Sequence, residues 1–433
     1  MKRSEFDVST GAGRTSVKTS HRMVMRAVCA CFLLLIASST FLTAQSNRAG
    51  QLDASFGTGG IATQQTVITQ LTNVFSVGGV AIQGDGKIVV VGAVPGNNDF
   101  NVPAVLRFLS NGNLDTTFGA NGVFVLPNSF GSYSTVAIQS DGKILADTNA
   151  QSIDGEVDRL TTAGQLDSSF GSGGRVSFHL DAVVGMALQP DGRILASLQP
   201  VTGQRPEVTR LLSNGSTDTS FGTNGVAIPP SSGPLEVLGN GDILVFGSVG
   251  NVVSRLTGTG ALDRAFGVNG QLLAQDSAFA SPANGDILVE GTLIANPAAP
   301  TVGLSVFAYQ SVGIGDPAFG QNGGAETPFV GFPMVTASGL GLESTGNIVA
   351  LGTVSIRNTG AFGLIRYTPT GQLDTNFGSR GQVTTLFGIN STVTASAITI
   401  QSDDKIVVAG TVLITNLHGQ FTTELVLARY LGQ

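Results

Sequence analysis

The chain has 433 residues, 42% of them hydrophobic and only 12% charged, with a formal net charge of −7. An acidic chain lacks the cationic footprint that phosphate backbones require, so nucleic acid is excluded as a partner. Glycine (59) and proline (16) are about a sixth of the residues, which is the composition of many short strands and tight turns.

At the N-terminus, Arg22 and Arg26 precede the apolar run Ala27 to Ala37, and Leu42-Thr43-Ala44 ends in the small residue a signal peptidase needs. Residues 1–44 are therefore expected to be a signal peptide, and residues 45–433 a single secreted, periplasmic or cell-surface domain. The run is too short and too poorly flanked for a membrane span, so the mature chain is expected to have none. Met23 or Met25 would open a more compact signal than Met1. The first 44 residues hold six Lys/Arg and two Asp/Glu, which leaves 16 basic and 27 acidic groups, a net charge of −11. Both cysteines, Cys29 and Cys31, fall inside the signal. No disulfide is expected, although the protein is read as exported.

From residue 52 onward one phrase recurs, Leu-Asp-x-x-Phe-Gly. Its seven phenylalanines are Phe56, Phe118, Phe170, Phe221, Phe266, Phe319 and Phe377, spaced 62, 52, 51, 45, 53 and 58 residues apart. Periods of this size mark a repeat architecture. Each copy contains four apolar segments. In the first full copy they are Val80 to Gln83, Lys87 to Gly92, Ala104 to Phe108 and Val123 to Leu126. The second segment is an unbroken apolar run, as in KIVVVG or DILVFG, the pattern of a strand covered on both faces. Four-stranded sheets packed face to face in a ring are the blades of a β-propeller.

The phase of the repeat predicts seven blades and a closed ring. The first copy begins in mid-unit, with the phrase and a fourth strand near Ile61 to Gln65, and the last stops after its third strand, Leu425 to Tyr430. Head and tail complement each other, so they are expected to share one blade. An open solenoid or β-helix is the runner-up and would need capping segments. Units such as LIRYTPTGQLDTNFGSRGQV (Leu364 to Val383) followed by ITIQSDDKIVVAG (Ile398 to Gly410) resemble the delta-60 repeat family of secreted bacterial proteins. The resemblance covers roughly residue 50 to the end. It implies a propeller in an extracytoplasmic setting and carries no established activity.

Two turns recur. An Asp-Gly turn at Asp85-Gly86, Asp141-Gly142 and Asp191-Gly192 has Asn-Gly in the same slot at Asn240 and Asn284. Asn for Asp discards the charge, which argues against a cation site and predicts a two-residue type I′ hairpin. Asp404 replaces the glycine at a position wanting positive φ, at a strain of about 1 kcal/mol. The aspartate of the phrase is different, because the carboxylate itself is kept. Asp53, Asp115, Asp167, Asp218, Asp263 and Asp374 all have it, as does Asp316. Arginine stands eight residues earlier at Arg107, Arg159, Arg210, Arg255 and Arg366, which predicts structural ion pairs. Closure would bring Arg429 to Asp53. The neighbouring Phe is expected to wedge between blades.

Only His179 and His418 remain for catalysis after signal removal, and no HExxH, GxSxG or phosphate-binding Gly-Lys loop is present. This inventory predicts neither a metal nor a cofactor. Among the innermost strands only Glu236 and Glu343 carry acids, which keeps open an extracellular hydrolase or lyase working at the channel mouth. The turns carrying the two motifs lie on one face, leaving the dissimilar loops on the other. There Asp147, Asp154, Glu156, His179, Asp181, Arg205 and Glu207 are the candidate binding residues. The leading reading is a monomeric, non-catalytic module that recognises a glycan or protein through that face. A purely structural adhesion module is the third alternative.

Overall fold

Each copy of the repeat folds into four antiparallel strands joined by short connections, and seven such sheets make the ring. The structure is a computed structural model that describes residues 48–65, 75–96, 100–127, 129–149, 154–200, 204–247, 251–274, 278–294, 302–415 and 421–433. The segment read as a signal peptide lies outside the described residues, as do most of the loops Asn296 to Gly303 and Asn416 to Phe421. Among the described residues there is no helix long and apolar enough to cross a membrane.

Blade 1 comprises Ser76–Ile82, Ile88–Pro95, Asn101–Phe108 and Val123–Val125, and blade 2 comprises Ser132–Ile138, Ile144–Asn149, Gly155–Leu160 and Arg175–Phe178. Blade 3 is Asp181–Leu188, Ile194–Pro200, Glu207–Leu211 and Val226–Ala227; blade 4 is Leu235–Val237, Ile243–Phe246, Val252–Leu256 and Gln271–Leu273. Blade 5 follows with Ala278–Ala280, Ile287–Ile294, Val302–Tyr309 and Gly324–Pro328, and blade 6 with Met334–Leu342, Ile348–Ile356, Thr359–Tyr367 and Gln382–Leu386. Blade 7 takes Ser391–Ile400, Ile406–Thr415 and Phe421–Tyr430 from the C-terminal end and Ile61–Gln65 from the N-terminal end. The terminal strands pair in register, Ile61 opposite Ala428 and Gln65 opposite Glu424. The predicted closure is therefore present.

The first strand of each blade is innermost, and first strands of neighbouring blades touch around most of the ring. In five blades this strand carries a β-bulge, as between Val77 and Gly79 or Ala395 and Ala397. The second strand is buried along its apolar run, and in blade 1 over the whole of Ile88–Pro95, because neighbouring blades cover both its faces. Seven hydrophobic clusters each join side chains from adjacent blades; Phe56 of blade 7, for example, packs with Ile88 and Leu106 of blade 1. The second and third strands run further toward the variable face than their apolar runs suggest, reaching Pro95 and starting at Asn101 in blade 1.

Because blade 7 is built from both ends, deletion of the last nine residues (Leu425 to Gln433) should lower the melting temperature of the whole ring in a single transition. A truncated chain that melts at the parental temperature, with only local fraying by hydrogen exchange, would contradict this closure.

Candidate functional site

The recurring phrase builds the seams between blades. Its glycine has φ of 51–54° in every copy, and a Cβ there would lie within 2.3 Å of a backbone carbonyl oxygen. Only glycine fits, and its N–H reaches across to the next blade: Gly119 N donates to Ala163 O at 2.9 Å and Gly57 N to Asn111 O at 2.7 Å. Gly378 N completes the set at the sixth seam by donating to Ala49 O at 2.8 Å. The phenylalanines are buried beneath the neighbouring blade, where Phe118 would meet any side chain placed at Gly164.

Arginine and aspartate close each seam. Arg107 Nε donates to Asp115 Oδ2 at 2.8 Å, its guanidinium lies 4.5 Å from the centre of the Phe118 ring, and Nη1 donates to Thr162 O of the next blade at 2.5 Å. Arg159, Arg210, Arg255 and Arg366 repeat the pattern with Asp167, Asp218, Asp263 and Asp374. Arg429 completes it across the termini, with Asp53 at 2.9 Å, the Phe56 ring at 4.6 Å and Ser110 O of blade 1 at 2.5 Å. In blade 5 Ala308 takes the arginine slot, and Asp316 keeps only its turn role, accepting Ala318 N. Burial opposes ionisation of Asp115, but the Thr117 hydroxyl and amide and the Arg107 charge outweigh it and hold the carboxyl below its usual range. Asp218, held first by the Ser220 hydroxyl, is brought down to about 2.

The other turn departs from the expected hairpin. Gln139 N donates to Lys143 O and Gly142 N to Gln139 O, and positive φ is confined to the glycine. This is a type I turn closed by a glycine bulge, and a type I′ turn would need two positive φ values. The Asp or Asn supplies an acceptor: Asp141 Oδ1 takes Lys143 N at 3.2 Å and Asn240 Oδ1 takes Asp242 N at 3.0 Å. Interchange of the two residues therefore reflects a needed oxygen. Asp404 does adopt φ of 60°, and its carboxylate is used by Ser344 N and Oγ of blade 6 and by Gln433 Nε2.

On the variable face the structure joins some candidates and separates others. Asp154 Oδ1 accepts Leu180 N at 2.9 Å and lies 2.9 Å from His179 Nδ1, clasping the connection between blades 2 and 3, where Leu180 has φ of 64°. The Leu180 amide, then the imidazole, holds the Asp154 carboxyl below its ordinary value. Glu156 accepts Ser177 Oγ at 3.0 Å and faces Arg175 at 3.7 Å. Asp181 and Glu207 are close enough to interact; burial, then for Glu207 the Asp181 charge, raises both carboxyls. Arg205 is exposed.

Asp147 requires a correction. It is not a loop residue but sits fully buried within the second strand of blade 2, where Oδ1 accepts Thr135 N at 2.5 Å and Ser134 Oγ at 3.0 Å. The strand continues past its apolar run because a carboxylate serves the bulge amide of the inner strand. Close by, Asp158 accepts Tyr133 Oη at 2.6 Å, a buried acid absent from the sequence reading. Burial raises Asp147 from 3.8 to about 6, and burial aided by the Glu156 and Asp147 charges raises Asp158 to about 7. The channel-mouth acids need correcting too. Glu343 is 3% exposed and bound to Arg366 Nη1 at 3.0 Å and Asn347 Nδ2 at 3.0 Å. It fills the slot that is Gln83, Gln139, Gln189 and Gln401 elsewhere. Glu236 lies two blades away, half-buried, accepting Ser281 N at 2.8 Å. Glu343 is thus tied into the seam arginine and shut off from solvent.

A hollow of about 620 Å³ opens on the variable face between blades 6 and 7, lined by Thr353, Ser355, Arg357, Asn358, Thr359 and Asn390 among others. Among the described residues no group of three His, Cys, Asp or Glu is placed to hold a metal ion.

These features define the protein as a seven-bladed β-propeller of repeats. The family model described as "Domain of unknown function (DUF5122) beta-propeller" matches residues 83–118, 139–170, 189–221 and 343–377, which supports membership of a β-propeller repeat family. Each matched stretch runs from the Gln or Glu slot of one turn to the seam phenylalanine. Blades 4 and 5, unmatched, have Leu238 and Pro282 in that slot. No curated protein matches the chain in sequence. Among solved structures, a streptogramin B lyase is similar at 13% identity with a TM-score of 0.50, covering 85% of this chain and 97% of that one. The polysaccharide lyase Uly1 (10% identity, 90% and 98% coverage, TM-score 0.46) is also similar. So is a PQQ-bound aldose sugar dehydrogenase from Streptomyces coelicolor (11% identity, 85% and 98% coverage, TM-score 0.36). At such identities the likeness concerns the fold alone.

Two predictions test the electrostatics. Replacing Asp115 by Asn should cost about 2–4 kcal/mol in denaturant unfolding, because Arg107 stays buried without its counter-charge. Asp141→Asn keeps the acceptor oxygen and should change stability by less than about 1 kcal/mol; equal costs would erase the distinction between the turns. The buried acids of blade 2 bind protons more tightly in the folded than in the unfolded chain. Their contribution is full below about pH 4 and is lost as pH rises through about 6 and 7. Thermal melts should show Asp147→Asn/Asp158→Asn gaining stability over the parent between pH 4.5 and 8, by up to about 3 kcal/mol at Asp147 and about 4 kcal/mol at Asp158. A pH-independent difference would place the titration elsewhere.

Proposed function

We propose that this is a secreted or surface-exposed, monomeric, non-catalytic propeller that binds a glycan or a protein through its variable face. The reading is supported by the contrast between the two faces. On one, the arginines, aspartates and turn glycines are committed to the seams. On the other, a polar hollow between blades 6 and 7 is lined in part by the solvent-facing Met334, 65% exposed. Exposed apolar side chains beside a concave polar surface are a common sign of a binding face. Export rests on the N-terminal signal pattern in the sequence.

A hydrolase or lyase is the second reading, favoured by Glu236. Burial raises its carboxyl above the usual range, against the pull of the Ser281 hydrogen bonds, which is the direction a general acid needs. Glycan and surface-protein arrays, run with and without calcium, should show binding without turnover, and N-terminal sequencing of the exported protein should begin near Gln45. Cleavage of an arrayed polysaccharide that Glu236→Gln abolishes would replace the binding reading with the enzymatic one.

A further inference from the structure

The hollow between blades 6 and 7 combines three features that bear on ligand chemistry. Its walls carry hydroxyls and amides, among them Ser355, Thr359, Thr392, Asn358 and Asn390, together with one cation, Arg357. No carboxylate lines it, although the chain as a whole is acidic. Arg357 itself is exposed, and among the described residues no ion pair or hydrogen bond engages it.

The backbone at Arg357 supplies the second observation. Ile356 pairs with Thr359, so Arg357 and Asn358 form a two-residue hairpin loop. Arg357 has φ of 53°, the left-handed position where glycine would sit without strain. A two-residue hairpin loop demands such a conformation, so the turn itself holds Arg357 at the rim of the hollow. Across the seam Asn390 is also left-handed, with φ of 59°. The close approach of Gly360 to Val393, where a Cβ would stand 2.8 Å from the valine, fixes the distance between the two walls.

Resting on the variable-face reading, we infer that this hollow binds an acidic saccharide, its carboxylate on Arg357 and its hydroxyls on the Ser, Thr and Asn wall. Arginine pairs with a planar carboxylate through two parallel hydrogen bonds. Hydroxyl and amide side chains both donate and accept, as sugar hydroxyls do. The volume of about 620 Å³ lies within the range of small-ligand sites. No aromatic residue lines the hollow, so selectivity comes from charge and hydrogen bonds in place of ring stacking. The acidic chain repels densely charged polymers, which favours a saccharide with few charges over a polyanion. A peptide is less suited, because Met334 and Val393 are the apolar side chains among eleven lining residues and the rest are polar or glycine.

The test is calorimetric titration of the purified protein with glucuronosyl-xylose, its methyl ester and an acidic peptide of equal charge. The free acid should bind, the ester at least tenfold more weakly, and the peptide no better than the ester. Arg357→Gly should weaken the acid at least tenfold while the melting temperature stays equal or rises, because glycine relieves the strained φ. A loss of binding with that thermal signature cannot come from misfolding. Equal binding of acid and ester, preference for the peptide, or unchanged binding by Arg357→Gly would overturn the inference. If an array ligand is lost on substitution elsewhere on the variable face but not by Arg357→Gly, the wider reading stands and this site falls. If no variable-face substitution affects any ligand, both fall.

Discussion

A guanidinium buried at the junction of two sheets has to satisfy its donors and its charge at once, and the ring depends on how this is done. The carboxylate eight residues later takes Nε, the phenylalanine three residues beyond that offers its ring face, and a backbone carbonyl of the next blade takes Nη1. One side chain thus ties its own strand, its own turn and its neighbour. A buried charge without such partners would cost several kcal/mol, so the arrangement is strongly specific even where its net gain is modest. The glycine that ends the phrase adds a backbone bond at every seam, including the one where alanine replaces the arginine.

This commitment explains how the two faces differ. Where the seams lie, an altered residue disturbs two blades, and the same few side chains recur. On the opposite face the connections answer to no shared geometry, and they differ in length and composition. Blades 6 and 7 there place an arginine and an asparagine, both left-handed, and the exposed Met334 around one hollow. Blade 2 shows the reverse outcome: its unusual acids are drawn inward, where Asp147 serves a bulge amide and Asp158 a tyrosine hydroxyl.

Much of the fold was legible because each repeated position answers a local demand that few residues can meet. A glycine held at φ near 53° and an arginine–aspartate pair at fixed spacing leave the same mark in every copy. The turn at Asp141 was misjudged because Asn and Asp share two talents, left-handed tolerance and a side-chain acceptor, and only the observed φ values separate them. Asp147 was misplaced because hydrogen bonding carries a strand beyond its apolar core, and a polar residue then reads as loop. Glu343 could have been recognised by aligning it with Gln83, Gln139, Gln189 and Gln401. The hollow carried no signal at all, since Arg357 and Asn390 are ordinary residues until packing brings two blades together.

The shared blade has a consequence for how the molecule comes into being. Arg429 and Asp53 are 376 positions apart, yet they form the same seam contact as residues eight apart elsewhere. Contacts that distant are slow to form, since the loop between them must be closed before they reward it. Six blades can assemble from neighbouring segments as the chain emerges, but the seventh has to wait for the final strand. Until then the N-terminal strand Ile61–Gln65 lacks its partner, and the ring has two open flanks able to pair with another chain. The time between emergence of the first blade and arrival of the last strand is therefore when this protein is most exposed to misassembly, and when a holding chaperone would matter most.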